Sequence, residues 1–394
     1  MASNHAPLRT RLPAVGTTIF TVMSALAARH EAVNLGQGFP DFDCDPALVQ
    51  AVAAAMAAGQ NQYPPMTGVP ALREAIAEKI ASGYGHRYDP DAEITITAGA
   101  TQAILTAILA IVHPGDEVIV LEPCYDSYAP NIAMAGGVMV PVAMTADFRV
   151  PWDDVARAIG PRTRAIIVNT PHNPSATVLS TDDLAELERL VLAHGLYVIS
   201  DEVYEHMCFD GAIHQSVSRR PALAEHAFVV SSFGKTFHVT GWKIGYCAAP
   251  AALTAEFRKS HQYVVFSVNA PMQAGIASYL KDPAPYLGLP AFYQAKRDRF
   301  RAALADTGFR LLPCEGSYFQ VADYGALSDL PEAGFATWLT ETAGVAVVPM
   351  SAFYSRPREQ RLVRFCFAKR DQTLDEAARR LRAASSQRAV AGTP

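Results

Sequence analysis

From residue 94 to residue 201, short apolar runs alternate with longer segments of helical spacing. Ile94-Thr95-Ile96-Thr97 reads as a strand, and Gly99-Ala100-Thr101-Gln102 turns it into an apolar helix from Ala103 to Val112. Val118 to Leu121 and Val138 to Met144 are strands, with a helix expected over Tyr125 to Ala135 between them. A short helix follows at Asp153 to Ile159, then a strand Ala165 to Val168 ending at Asn169. Asp182 to His194 has helical spacing and leads into a strand, Tyr197 to Ser200, ending at Asp201. Strands alternating with helices predict an α/β fold with a mainly parallel sheet covered on both faces. In open sheets of this kind ligands bind at the carboxyl ends of the strands. Gly99, Asn169 and Asp201 stand at such ends, and so does Lys235, just past the apolar run Phe228-Val229-Val230.

The flanks have a different rhythm. Residues 1 to about 45 read as an arm, with a helix over Thr17 to Arg29 and a turn-rich loop from Asn34 to Asp41. Pro46 to Ala58 is Ala-rich and helical, Asn61 to Pro65 breaks the pattern, and Val69 to Ser82 is helical again with Pro70 near its start. Beyond Pro250 come helices, including a long polar one over Phe292 to Ala305. Strands at Tyr318 to Val321 and Leu362 to Phe365 complete a smaller α+β unit, and fraying is expected from Ser385. The expected division is an arm with part of the small domain (1–45), a large domain (46–284) and a small domain (285–394).

Composition narrows the function classes. With 394 residues, 50% of them hydrophobic and 18% charged, the chain is globular and large enough for two domains. A net charge of −5 without a basic cluster argues against nucleic acid and anionic membrane as partners. No apolar run is long enough to span a bilayer. Met1 to Arg11 has no apolar stretch behind its basic residues, so no secretory signal is expected. Six scattered cysteines form neither C-x-x-C nor a zinc spacing, which predicts a reduced, cytoplasmic protein with no metal site.

The candidate chemistry centres on Ser231-Ser232-Phe233-Gly234-Lys235-Thr236. A lysine just past a buried strand is partly desolvated, which lowers its pKa and makes it a nucleophilic amine able to form a Schiff base. Lys243, after Gly241-Trp242, is the rival candidate, and its glycine neighbour suits a phosphate contact better. Asp201, opening Asp201-Glu202-Val203-Tyr204, could hold a protonated ring nitrogen, or act as a helix cap or salt-bridge partner. Gly99-Ala100-Thr101 is either a phosphate-binding helix start or an ordinary turn. Asn169 to Pro174 is a proline-punctuated loop suited to orienting a ligand, with His172 read as a solvated turn residue. Arg364, inside an apolar strand, requires an anion: a ligand carboxylate or a structural partner.

Taken in order, Gly99-Ala100-Thr101, Asn169-Thr170-Pro171-His172-Asn173-Pro174, Asp201-Glu202-Val203-Tyr204, Ser232 to Thr236, Gly241-Trp242-Lys243 and Arg364-Phe365-Cys366-Phe367 resemble the class I aminotransferases of pyridoxal 5′-phosphate (PLP) fold type I. The resemblance runs from about Leu12 to Arg382. Asn34 to Phe42 and Pro349 to Tyr354 resemble the kynurenine, glutamine and methionine branch, and the stretches 169–178, 231–246 and 261–269 resemble bacterial methionine aminotransferases.

That resemblance implies a seven-stranded sheet and a set of roles. Lys235 would be the Schiff-base lysine, Asp201 the partner of the pyridine nitrogen, and Asn169 and Tyr204 hydrogen-bond donors to the ring oxygen. Tyr125 would stack on the ring. The phosphate would take the Ala100 and Thr101 amides beside Gly99, the Ser232 hydroxyl and Lys243, with Tyr63 reaching in from the other subunit of a homodimer. Arg364, Asn173 and the Gly38 backbone would hold the substrate carboxylate. Phe20, Tyr125 and Phe353, with Tyr63 and Phe266 from the other subunit, would form the side-chain wall. His172 and Thr101 depart from residues common in the family, which leaves selectivity open but not reaction type. The implied activity is transamination of methionine or aromatic amino acids, kynurenine included, with a 2-oxo acid. A cysteine-conjugate β-lyase on the same site is the alternative, and a non-catalytic PLP-binding regulator would need a basic DNA-binding helix that the pattern does not offer.

Overall fold

The computed structural model describes residues 9–356 and 358–391, with 386–391 as backbone alone. The readings at Met1 to Leu8 and beyond Ala391 lie outside these residues. In chain order the strands are β1 (Val33–Asn34), β2 (Ile94–Thr97), β3 (Glu117–Glu122), β4 (Val138–Ala143), β5 (Thr163–Asn169), β6 (Tyr197–Asp201), β7 (Ala227–Ser232), β8 (Gly245–Ala248), β9 (Arg310–Leu311), β10 (Phe319–Asp323), β11 (Val345–Ala346), β12 (Val348–Pro349) and β13 (Leu362–Cys366). The first five helices are α1 (Ile19–Arg29), α2 (Pro46–Ala57), α3 (Pro70–Tyr84), α4 (Ala100–Ile111) and α5 (Tyr128–Met134).

Seven strands form one sheet in the order β2-β8-β7-β6-β5-β3-β4. All neighbours are parallel except at β8, which runs antiparallel to both β2 and β7. The central strands are apolar on both faces because both faces are covered. α4, with Ala103, Ile104, Ala107 and Ile108 fully buried, packs on one face together with Phe257 of the helix Ala251–Val264. Leu184, Leu187, Leu190 and Val191 of Thr181–His194 belong to the core on the other face. That helix starts at a capping box, Ser180 with Asp183, and stops at Gly195 in the left-handed region.

β8 is absent from the sequence reading. It is short, and Gly-Tyr-Cys-Ala lacks the β-branched signature of its neighbours. Gly245 is required where it stands: an added Cβ would lie 2.7 Å from the Ser231 carbonyl and 3.1 Å from Gly99 Cα. α5 starts three residues later than expected, which leaves Tyr125 on the loop ahead of it. The final helix runs through Asp371–Ala391 where fraying from Ser385 is expected. Ser385 Oγ bonds the Thr307 and Leu381 carbonyls.

A second, antiparallel sheet has the order β12-β13-β10-β9. β1 pairs with β11 in parallel, and this pairing ties the loop after α1 to the C-terminal part of the chain.

Behind β7 and β8 lies a buried ion pair. Lys79 Nζ is 2.7 Å from Glu205 Oε2, and Oε1 accepts Ser231 Oγ at 2.6 Å and the Tyr246 hydroxyl at 3.2 Å. Burial pushes the Glu205 carboxyl up, but Lys79 and the hydrogen bonds outweigh it and hold the group well below the usual range. Removing one partner of such a pair strands a buried charge. Lys79→Met should therefore destabilise the protein by about 3–5 kcal/mol in urea unfolding, and Lys79→Met/Glu205→Leu should recover part of that loss.

Candidate active site

The carboxyl ends of β5, β6 and β7 open into a cavity of about 320 Å³. β5 delivers Asn169 and β6 delivers Asp201. Ser232 ends β7, and the short helix Phe233–Thr236 that follows carries Lys235. α4 opens on the same space with Ala100 and Thr101, while β13 crosses from the second sheet with Arg364. Gly38, Phe20, Tyr125, Asn173, Tyr204 and Lys243 complete the expected residues lining it. Gln37, Phe39, Ile104, Val203, Gly234, Thr240 and Phe319 also line it and were not expected.

Four expected residues stand elsewhere. Gly99 does not line the cavity; it lets Lys243 approach, since an added Cβ would be 3.1 Å from Lys243 Nζ. Phe353 is buried behind Arg364, with its ring 4.8 Å from the guanidinium carbon. Tyr63 and Phe266 lie on the surface, 81% and 50% exposed, with their rings 5.2 Å apart. One reading is corrected. His172 is not a solvated turn residue: it is 5% exposed, shares a 2.6 Å hydrogen bond with Ser175 Oγ, and burial lowers its pKa to about 4. The loop folds back on itself, with the His172 amide on the Thr177 carbonyl.

Lys235 Nζ donates to the Gly38 carbonyl at 3.0 Å and to the Tyr318 hydroxyl at 2.9 Å. Burial lowers its pKa to about 8, so near neutral pH a usable fraction is uncharged. Asp201 shows the opposite shift from the same cause: burial raises it to about 6, against hydrogen bonds from Tyr128 and the Val203 amide. Asn169 Nδ2 donates to the Asp201 carbonyl at 2.8 Å, and Asn169 Oδ1 accepts the Asn173 amide at 2.7 Å, which fixes the amide plane. The Tyr204 ring stands edge-on to Tyr318, and burial pushes its phenol pKa up. Burial raises the pKa of Tyr125, and Thr101 acts weakly against it.

Arg364 is 1% exposed and makes no ion pair among the described residues. Nη1 donates to Asn173 Oδ1 at 2.6 Å and Nη2 to the Gly36 carbonyl at 3.0 Å, while Nε has no partner. Phe20, Phe319 and Phe353 surround it, at 5.4, 3.8 and 4.8 Å from the guanidinium carbon. Burial lowers its pKa to about 10, which leaves it a cation at neutral pH. A buried cation held by neutral acceptors and lining a cavity is a receptor for an anion.

A family model described as Aminotransferase class I and II matches residues 30–381. The chain belongs to this family. This aminotransferase is 52% identical to methionine aminotransferase of Escherichia coli over 384 residues, 97% of this chain and 100% of that one. The crystal structure of an E. coli protein with an identified methionine aminotransferase function superimposes with a TM-score of 0.94, covering 96% of this chain and 100% of that chain. A probable N-succinyldiaminopimelate aminotransferase of Mycobacterium tuberculosis is 45% identical over 94% of this chain and 97% of its own. Mouse kynurenine–oxoglutarate transaminase 3 is 34% identical over 96% of this chain and 90% of its own. Transamination is the activity of the enzyme, and its substrates are an amino acid and a 2-oxo acid.

Gly99 has φ 78° and ψ 173°, a region essentially reserved for glycine. Gly99→Ala should cost about 1–3 kcal/mol in thermal unfolding. It should also push Lys243 off the start of α4, so inorganic phosphate should protect the variant from unfolding less than it protects the parent.

Proposed function

We propose that this enzyme transfers the amino group of L-methionine and aromatic L-amino acids, kynurenine included, to a 2-oxo acid with pyridoxal 5′-phosphate in the cavity. The observation that carries the proposal is one cavity lined by Lys235, Asp201 and an Arg364 that has no ion-pair partner among the described residues and is boxed by aromatic rings.

The residues present fit the cofactor. The free amides at the start of α4, Ser232 and Lys243 make an anion cradle. Asp201, a buried carboxyl that forms no ion pair among the described residues, suits a protonated ring nitrogen, and Asn169 and Tyr204 suit the ring oxygen. When bound, the cofactor supplies an aldehyde that condenses with amines and a ring that accepts an electron pair. Lys235, neutral above about pH 8, offers a nucleophilic amine and takes the proton released from the substrate Cα. Arg364 and Asn173 bind and orient the substrate carboxylate. Phe20 and Phe319 exclude water from that contact, which strengthens it.

The lining also speaks to selectivity. Its cations are Lys235, Lys243 and Arg364, and each has a role above. A second acidic group on the donor would be buried unpaired. Phe20, Phe39, Ile104, Tyr125 and Phe319 offer apolar area and ring edges that suit a thioether or an aromatic ring. The E. coli and mouse relatives, named for methionine and kynurenine, support this reading. No feature of the cavity favours the β-lyase alternative.

The enzyme is proposed as a homodimer, with Tyr63 and Phe266 each serving the other subunit's cavity. Their exposure, beside that of Tyr263 at 87%, supports it. The two sheets support a large domain over 46–284 and a small one over 285–394 completed by the arm. All six cysteines are unpaired, which supports the cytoplasm. Among the described residues no helix is long and apolar enough to cross a membrane.

With a single 2-oxo acid acceptor, methionine and phenylalanine should exceed aspartate in kcat/KM by at least about tenfold. Phe20→Ala should narrow the gap. Aspartate turning over as fast as methionine would sink the selectivity.

A further inference from the structure

Asp201 has a partner that no motif announces. Tyr128, the first residue of α5, donates its hydroxyl to Asp201 Oδ2 at 2.7 Å. The two residues are 2% and 5% exposed, so the bond is made away from water. Among the described residues Oδ1 accepts only the Val203 amide, at a longer 3.3 Å. Tyr128 does not line the cavity, whereas Asp201 does.

The surroundings leave few other controls on this carboxyl. The charged groups acting on Asp201 are Lys235, which favours the anion, and Glu202, which opposes it. Glu202 turns its carboxylate to His214, Ser200 and the Val217 amide. Tyr128 faces Cys124 and Tyr125 besides Asp201. Neither of these brings a positive charge. Burial already drives Asp201 toward its neutral form, and the short phenol bond is the main force on the other side. The phenol itself has no tendency to give up its proton, because burial and Asp201 push its pKa well above the ordinary value.

We propose that Tyr128 is a positioning residue for the cofactor: its hydroxyl holds Asp201 as an anion facing the cavity, and through Asp201 it sets how tightly the cofactor's ring nitrogen keeps its proton. The inference rests on the role given to Asp201 above. It separates two tasks of one side chain. The ring of Tyr128 packs α5 on the sheet beside Ile132 and Cys124; the hydroxyl controls charge.

The test uses whole enzyme loaded with pyridoxal phosphate carrying ¹⁵N in the ring, without substrate. The ring-nitrogen shift is followed against pH in the parent, Tyr128→Phe, Asp201→Asn and the double variant. Tyr128→Phe keeps the packing, and its ring nitrogen should lose the proton about one pH unit lower than in the parent. Its cofactor affinity should fall about tenfold. In the Asp201→Asn background, Tyr128→Phe should change neither quantity. A Tyr128→Phe enzyme that titrates with the parent would overturn the inference. So would an equal shift in both backgrounds. Should Tyr128→Phe fail to fold, 3-fluorotyrosine at position 128 decides. It is a stronger donor of nearly the same shape, so the proton should be kept to higher pH, and an unchanged titration contradicts the proposal. A parent enzyme that takes up no pyridoxal phosphate overturns the cofactor reading itself, together with this inference.

Discussion

The site depends on burying opposite charges without letting them neutralise each other. Asp201 ends β6, Lys235 sits on the short helix just past the adjacent β7, and Arg364 enters from a second sheet. Burial penalises all three charges: the carboxyl rises to about 6, the lysine falls to about 8, and the arginine falls to about 10. None of the three forms an ion pair among the described residues. Each is held instead by neutral groups: Tyr128, Tyr318 with the Gly38 carbonyl, and Asn173 with the Gly36 carbonyl. Neutral partners satisfy hydrogen bonds while leaving the charges free to act on a ligand.

The arm is held by the same residues. The Gly36 carbonyl accepts from Arg364, the Gly38 carbonyl from Lys235 and Tyr318, and the Phe39 carbonyl from Lys369. Gly38 itself must lack a side chain, because a Cβ would come within 2.8 Å of Phe319 Cζ. Phe319 in turn lies on Arg364. The loop after β1 is thus shaped by the groups proposed to do the chemistry, and a change at Phe319 would reach both the lysine and the arginine through it.

The sequence exposed the parts of this arrangement that break a local rule. Asp201 and Arg364 are charges in or beside apolar strands, and Lys235 follows one directly. Such exceptions can be seen without a structure. The β-branched strands β2, β3 and β5 were legible for the same kind of reason. What stayed hidden obeys local rules. Tyr128 and Tyr318 look like ordinary core aromatics, since only the fold brings their hydroxyls to Asp201 and Lys235. β8 has weak strand propensity and is recruited by its neighbours. His172 looked polar and solvated, and its burial comes from a loop folding back on itself.

Lys235, rather than Lys243, is proposed as the amine joined to the cofactor. The direct measurement is borohydride treatment of the enzyme loaded with pyridoxal phosphate, followed by proteolysis and mass spectrometry. The phosphopyridoxyl mass should be found on the peptide containing Lys235. Finding it on Lys243 would contradict the assignment.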